Sequence, residues 1–288
     1  MRGLVVSLFG VVGVAAFSVL MFSSNNLSFF WLFLELTTLC VIPLFFLWGD
    51  DGVLVGLFNY IVVSSVSSSL MLCGILSSEL IFLLILGLLL KFGLFPFWGW
   101  VYKVGMGSNW LVLWAFSTFL KSPVFFFPFF LSCGGYSLVN YVCCVTFWGL
   151  AVLFWLYSVN WFACWCHMML SSSAALVVMS LVLSSDVLFM IFFVYCLWCS
   201  LVVVFFSFYE GEFLGGLGYY FWFCFLLVSM PVSLSIFYKL VMVSGIYSCP
   251  FIVLCSWVVY SLSEQFYLLK FVMSFSLPKA SGRFVSEV

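Results

Sequence analysis

Charged residues are nearly missing from this 288-residue chain. Asp, Glu, Lys and Arg together make up 6% of it, whereas soluble domains contain about 25%. Hydrophobic residues make up 67%, and the mean hydropathy is +1.36. A surface that faces water cannot be built from this composition, so the sequence predicts an integral membrane protein.

Other absences narrow the class of membrane protein. The alternation of polar and apolar residues typical of a transmembrane β-barrel is missing, because the apolar runs are continuous. No polar loop is long enough to hold a soluble catalytic domain, and no nucleotide-binding motif occurs. The net charge of −1 says nothing about nucleic acid, but there is no basic patch to bind it, so the sequence predicts the lipid bilayer and not nucleic acid as a partner.

Ligands for a cofactor are also scarce. Histidine occurs once, as His167, and most of the 12 cysteines lie inside apolar segments, where cysteine behaves as a small hydrophobic residue. The stretches CLWC (Cys196 to Cys199) and CWCH (Cys164 to His167) are therefore interpreted as helix packing. The sequence predicts no cofactor and no metal in this chain.

Short polar or glycine-rich breaks divide the chain into apolar segments, each long enough to cross a bilayer as a helix of about 20 residues. The ten predicted spans are 3–22, 27–48, 53–76, 79–101, 109–131, 139–158, 161–183, 187–208, 219–244 and 250–272. The predicted fold class is an all-α polytopic membrane protein. Residues 1–272 are predicted to form one transmembrane domain, followed by a polar C-terminal tail, 273–288.

A few ionisable side chains remain inside the predicted spans. They are Glu35, Lys91, Lys121, Lys239 and Glu264. A charge at the centre of a spanning helix costs about 2.5–3.5 kcal/mol on insertion scales, so such residues usually serve a function. Lys91 and Lys121 lie too far from the segment ends to reach water. Lys239 and Glu264 lie nearer an end, and for Glu264 snorkelling to the interface is the favoured interpretation.

The stretch LGLLLKFGLFPFWGW (Leu86 to Trp100) predicts an interrupted helix beside Lys91. Pro96 has no N–H, so the carbonyl of Phe92 loses its helical partner, and Gly93 weakens the same turn. Broken spanning helices are tolerated where the freed backbone meets protein or water. In transporters they mark ion-binding sites near the middle of the membrane.

A second proline-bearing span, 219–244, contains Pro231 and Lys239 and follows five segments later. An odd offset reverses the direction of the chain across the bilayer, as the inverted repeats of transporters require. Polar residues share helix faces with two of the lysines. These faces are Trp114, Ser117, Thr118 and Lys121, and Pro231, Ser235 and Lys239. Serine runs alone are typical of tight helix packing, but faces that include a lysine favour a hydrated path.

Five ordered stretches point to a known family. They are WLFLELTTLCVIPLF (Trp31 to Phe45), KFGLFPFWGWVYKV (Lys91 to Val104), WAFSTFLKSPV (Trp114 to Val124), HMMLSSSAA (His167 to Ala175) and MPVSLSIFYKL (Met230 to Leu240). In this order and approximate spacing, over residues 25–272, the chain resembles chain 2 of mitochondrial NADH:ubiquinone oxidoreductase. That family is an antiporter-like membrane subunit of respiratory complex I. The related chain 4 shares parts of the pattern and is an alternative.

The resemblance implies an antiporter-like inverted repeat with broken helices and a shortened second repeat. It also implies a proton relay in which Glu35 pairs with Lys91. Lys121 would be the central lysine of this relay, and Lys239 the lysine of the second broken helix. His167 lies where the family usually has lysine or arginine, so it is a possible further relay residue.

The function implied by the resemblance is proton translocation across the mitochondrial inner membrane, coupled to NADH oxidation and ubiquinone reduction elsewhere in the complex. The implied partners are other membrane-arm subunits. NADH, flavin, iron–sulfur clusters and ubiquinone would bind to other parts of the complex. Two alternatives stay open: a stand-alone cation/proton antiporter, and a structural subunit whose lysines form static ion pairs.

Overall fold

The computed structural model describes residues 2–24, 26–47, 52–131, 136–158, 160–209 and 217–276. Within these ranges all regular structure is helical. The α-helices are α1 (Arg2–Phe22), α2 (Leu27–Phe45), α3 (Val53–Leu76), α4 (Ile81–Phe92), α5 (Gly99–Met106), α6 (Trp110–Ser117), α7 (Phe127–Leu131), α8 (Tyr136–Leu156), α9 (Trp161–Ser180), α10 (Ser185–Tyr209), α11 (Leu217–Leu226), α12 (Leu234–Ile246) and α13 (Phe251–Ser276). Two 3₁₀ segments, Ser78–Leu80 and Phe119–Phe126, complete the list.

The described helices account for ten membrane crossings. Eight segments have the length and apolar composition that a crossing needs: α1, α2, α3, Trp110–Phe129, α8, α9, α10 and α13. Two further crossings are interrupted, because α4 is followed by α5 and α11 by α12 after short non-helical segments. The predicted all-α polytopic class with about ten spans is confirmed.

The end of the last crossing differs slightly from the prediction. α13 continues to Ser276, beyond the predicted boundary at residue 272. The predicted polar tail from residue 277 onward lies outside the described residues.

The first interrupted crossing breaks where the sequence predicted, beside Lys91. α4 ends at Phe92, and Gly93 caps it with left-handed backbone at φ +67°. The N–H of Leu94 donates to the carbonyl of Leu89 over 3.1 Å, the bond typical of a Schellman helix end. Glycine is favoured at this cap because it has no Cβ to oppose a positive φ.

Side chains from other elements bind the backbone groups that this break frees. The indole N–H of Trp100 donates to the carbonyl of Leu90 over 3.0 Å. The N–H of Phe95 donates to the hydroxyl of Thr146 on α8 over 3.2 Å. Protein groups therefore replace the missing helical bonds, as irregular backbone within a membrane requires.

The second interrupted crossing breaks at residues 227–233, around Pro231. The indole N–H of Trp198 on α10 donates to the carbonyl of Leu226, the last residue of α11, over 2.8 Å. Val232 has φ +75°, a conformation that a β-branched residue rarely adopts. The Val232 side chain is 93% exposed, and the residue belongs to a turn in which the N–H of Ser233 donates to the carbonyl of Met230 over 2.9 Å.

The crossing at 110–131 is not the single regular helix that the sequence predicted. α6 ends at Ser117, and Phe119–Phe126 forms a 3₁₀ helix that includes Lys121. Thr118, at φ −109° and ψ −82°, departs from α-helical backbone, and Pro123 lacks the N–H that would donate to the carbonyl of Phe119 in an α-helix. Lys121 therefore lies on irregular helix, as Lys91 lies beside a break.

The central helix of the bundle is α9. Of its spanning residues, 94% are buried, and α5, α8, α10 and α12 pack around it. Its small residues allow this close packing, as the serine run suggested. Buried polar groups on α9 therefore lie within reach of several other helices at once.

We expect Gly93→Ala to destabilise the protein. An added Cβ would lie 2.4 Å from Cγ2 of Val101, and the residue would have to keep its positive φ. A strained left-handed residue costs about 1–3 kcal/mol, so the unfolding temperature of the detergent-solubilised chain should fall. The control is Gly99→Ala, where the added Cβ meets nothing within 4 Å. Equal unfolding temperatures for the two variants would contradict the importance of this cap.

Candidate functional site

The structure brings together Lys91 and Glu35, as predicted. Lys91 Nζ lies 3.4 Å from Glu35 Oε1, and the two side chains are 8% and 22% exposed. Lys91 is in the last turn of α4, where the negative end of the helix dipole favours a cation. Glu35 reaches this position from the middle of α2, so two helices far apart in the chain form the pair.

Glu35 also lines a mainly apolar cavity between α2 and α3, which has some polar groups on its wall. This cavity has a volume of about 130 Å³, and Glu35, Thr38, Tyr60, Ser64 and Ser65 contribute to its lining. The hydroxyl of Tyr60 donates to the carbonyl of Thr38 over 3.0 Å. Tyr60, Ser64 and Ser65 of α3 therefore supply polar neighbours to Glu35.

Lys121 is buried, with 2% of its surface exposed. Its Nζ donates to the carbonyl of Met169 (2.8 Å), the hydroxyl of Ser172 (2.6 Å) and the hydroxyl of Tyr195 (2.7 Å). An ammonium group has three N–H donors, so all three are used. The partners are neutral and come from α9 and α10. They hold Lys121 in the interior, and no carboxylate among the described residues forms an ion pair with it.

One small cavity joins the first two lysines. Its volume is about 20 Å³, and its lining includes Lys91, Lys121 and Ser173. A space of this size with polar partners has room for about one water molecule. Lys91 and Lys121 therefore line one shared space of about the size of a water molecule.

Lys239 and Glu264 form a second ion pair. Lys239 Nζ lies 2.8 Å from Glu264 Oε1, and the side chains are 13% and 9% exposed. The sequence favoured snorkelling for Glu264 and allowed it for Lys239. That interpretation is wrong for both, because α12 and α13 turn these side chains toward each other inside the bundle.

Two tyrosines that the sequence analysis did not single out lie between Lys121 and Lys239. Tyr195 accepts a hydrogen bond from Lys121 and another from the hydroxyl of Ser172 over 3.1 Å. Its ring centroid is 5.9 Å from that of Tyr238, the residue that precedes Lys239. The sequence contains only a weak signal for these two residues. A tyrosine inside an apolar segment has a hydroxyl that needs a hydrogen-bond partner.

His167 is fully buried on α9, and its hydrogen bond is to a residue of α5. Its Nδ1 lies 2.5 Å from the hydroxyl of Tyr102 on α5. Among the described residues, its Nε2 has no hydrogen-bond partner. The hydrogen bonds of Lys121 go to other residues of α9 and α10. A relay role for His167 stays a prediction.

Comparison with known proteins gives one match in sequence. No protein-family model matches the chain. It is 32% identical to NADH-ubiquinone oxidoreductase chain 2 of Artemia franciscana over 103 residues, which are 36% of this chain and 33% of that protein. The chain therefore matches about a third of the length of this curated relative.

Solved structures match over nearly the whole chain. The TM-score is 0.73 against a chain of respiratory complex I from Thermus thermophilus with bound aureothin, at 17% identity, covering 90% of this chain and 68% of that one. It is 0.68 against a chain of the membrane-bound sulfane sulfur reductase, an archaeal respiratory membrane complex, at 15% identity and with 92% and 64% covered. At these identities the likeness shows the fold. The predicted resemblance and the antiporter-like membrane fold are confirmed.

We expect Ser172→Ala to destabilise the chain more than Ser180→Ala. Both serines are buried on α9, but Ser172 accepts a hydrogen bond from Lys121, whereas the Ser180 hydroxyl donates to the carbonyl of Val177 in its own helix. Removing a partner of a buried charged group costs about 1–3 kcal/mol. The measurement is the unfolding free energy in mixed micelles. Equal losses of unfolding free energy in the two variants would show that the Ser172 hydroxyl stabilises the chain no more than a serine bonded within its own helix.

Proposed function

We propose that this chain is an antiporter-like core membrane subunit of respiratory complex I, the proton-pumping NADH:ubiquinone oxidoreductase, in the mitochondrial inner membrane. The sequence match to a chain 2 and the fold shared with a complex I chain support this. The observation that supports proton transfer most directly is a buried row of three lysines, Lys91, Lys121 and Lys239. The first two of them line one cavity. Other membrane-arm subunits of the complex are the expected partners.

In the proposed mechanism, Glu35 controls the charge of Lys91. The distance of 3.4 Å between their atoms exceeds the roughly 2.7–2.9 Å of a tight charge-assisted bond, so the pair has room to close. Approach of the carboxylate favours the protonated amine. Separation favours the neutral amine, because a buried charge without a partner is unfavourable. Lys91 would then release its proton toward the water-sized cavity that it shares with Lys121.

Lys121 would pass the proton toward Lys239 through hydroxyl groups. A hydroxyl can accept a proton on one lone pair while it donates its own, so Tyr195 and Ser172, both bound to Lys121, are suitable carriers. Tyr238 follows Tyr195 in this direction. The pair of Lys239 with Glu264 would receive the proton at the end of the row.

This proposal assigns ion transfer, and not electron transfer, to the chain. NADH, flavin, iron–sulfur clusters and ubiquinone would bind to other subunits, whose redox reaction supplies the driving force. The chain would take part in an enzyme without holding the reacting groups.

We expect Lys121→Met to lower the number of protons moved per electron in the assembled complex. Methionine has nearly the same length but cannot hold a proton, so the row would be interrupted at its centre. The measurement compares proton uptake with NADH oxidation in closed membrane vesicles, at equal amounts of assembled complex. The control is Lys103→Met, since Lys103 is exposed on α5.

Two results would contradict the relay. If Lys121→Met assembles and keeps the wild-type proton-to-electron ratio, the lysines have a structural role and do not transfer protons. If Lys103→Met lowers the ratio equally, the effect is not specific to the buried row.

We expect the isolated chain in proteoliposomes to show no exchange of protons for another cation, because the driving reaction would be missing. The measurement is the collapse of an imposed proton gradient on addition of sodium or potassium salts. Exchange by the chain alone would favour the stand-alone antiporter.

A further inference from the structure

Three consecutive polar residues on α13, Ser263, Glu264 and Gln265, contact three different parts of the bundle. Successive helix residues point about 100° apart, so one turn can face several neighbours. The hydroxyl of Ser263 donates to the carbonyl of Ala151 on α8 over 2.8 Å. This bond fixes the register of α13 against α8 and so fixes where the next two side chains point.

Glu264 points to Lys239. Their ion pair at 2.8 Å is the shorter of the two pairs described above, and both side chains are largely buried. Tyr238 and Tyr260 lie within electrostatic range of the same carboxylate. Glu264 is therefore placed in the interior beside the last lysine of the row, although no sequence motif assigned it there.

Gln265 points to the second break. It is the single glutamine of the chain. Its Oε1 accepts a hydrogen bond from the N–H of Ser229 over 2.8 Å, and its Nε2 lies 3.4 Å from the carbonyl of Leu227. Both groups belong to the irregular segment 227–233, where helical partners are missing. The amide of Gln265 thus binds one backbone donor and one backbone acceptor of this segment, and the carbonyl of Leu227 also accepts from the hydroxyl of Ser235 over 3.0 Å.

The two side chains also contact each other. Nε2 of Gln265 donates to Oε1 of Glu264 over 3.2 Å, and that same oxygen is the one nearest Lys239 Nζ. The ammonium group of Lys239 has a full positive charge and the amide of Gln265 has none, so Lys239 is the stronger electrostatic partner of the carboxylate. When Lys239 loses its proton, the carboxylate loses its stronger partner and a buried unpaired charge results, which is strongly unfavourable. The Gln265 amide, which also binds the break, would still donate to that oxygen.

We propose that Glu264 is a positioning residue for Lys239 and that Gln265 couples this ion pair to the second broken helix. Protonation of Lys239 would then change how firmly α13 holds residues 227–229, and movement of the break would change the pairing of Lys239. This inference rests on the proposed function and extends it. It assigns residues of α13 to the last step of proton transfer.

The test compares Glu264→Gln and Gln265→Met in the assembled complex. Glu264→Gln keeps the shape and removes the charge, and Gln265→Met keeps the length and removes both hydrogen bonds to the break. Both should lower the protons moved per electron at equal assembly, measured in closed vesicles against NADH oxidation. The control on the same helix is Ser256→Ala, because the buried Ser256 hydroxyl binds only the carbonyl of Ile252 among its described contacts. It should keep the wild-type ratio.

If Glu264→Gln assembles poorly, the double variant Lys239→Gln/Glu264→Gln removes both charges and avoids an unpaired one. We expect it to restore assembly but not the proton-to-electron ratio. A wild-type ratio in this double variant, or in assembled Gln265→Met, would overturn the inference, because a purely structural pair is replaceable by neutral groups.

Lys121→Met is measured in parallel to separate the two proposals. If it lowers the ratio while the α13 variants do not, the inference is wrong and the relay stands. If it leaves the ratio unchanged, the relay is wrong and the inference fails with it. Loss in Lys121→Met and in both α13 variants, with Ser256→Ala unchanged, supports both.

Discussion

A cation held inside a bilayer needs a partner that the protein itself supplies, and much of this structure follows from that constraint. The chain meets it in two ways. Lys91 and Lys239 each have a carboxylate from another helix, whereas Lys121 has three neutral oxygens. The flanking lysines thus lie in ion pairs. The central lysine sits in a hydrogen-bonding cage of hydroxyls and a carbonyl.

Irregular backbone accompanies every one of these lysines. Lys91 precedes a helix break, Lys121 lies in a 3₁₀ segment, and Lys239 follows a second break. Backbone groups outside a regular helix must find partners in the protein when they lie at membrane depth. Trp100 and Gln265 provide such partners from other parts of the bundle. A shift of charge at a lysine therefore acts on backbone that other elements hold, and not on an isolated helix.

The local pattern was enough to predict several features. Pro96 and Gly93 predicted the first break because both act on their own turn of helix, whatever surrounds it. The pairing of Lys91 with Glu35 came from the family resemblance and is present in the structure. Pro123 is a comparable local signal for the 3₁₀ segment, but the apolar run through 109–131 concealed it.

The sequence by itself determined that the chain crosses a membrane about ten times and where the first break lies, since hydropathy, proline and glycine act locally. Only the tertiary structure decided that Glu264 faces Lys239, that Gln265 holds the second break, and that Tyr195 lies against Lys121. These contacts depend on how each helix is rotated and which helices are neighbours. A run that is apolar on nearly every face contains little information about that rotation, so packing against α9 and the other helices sets it.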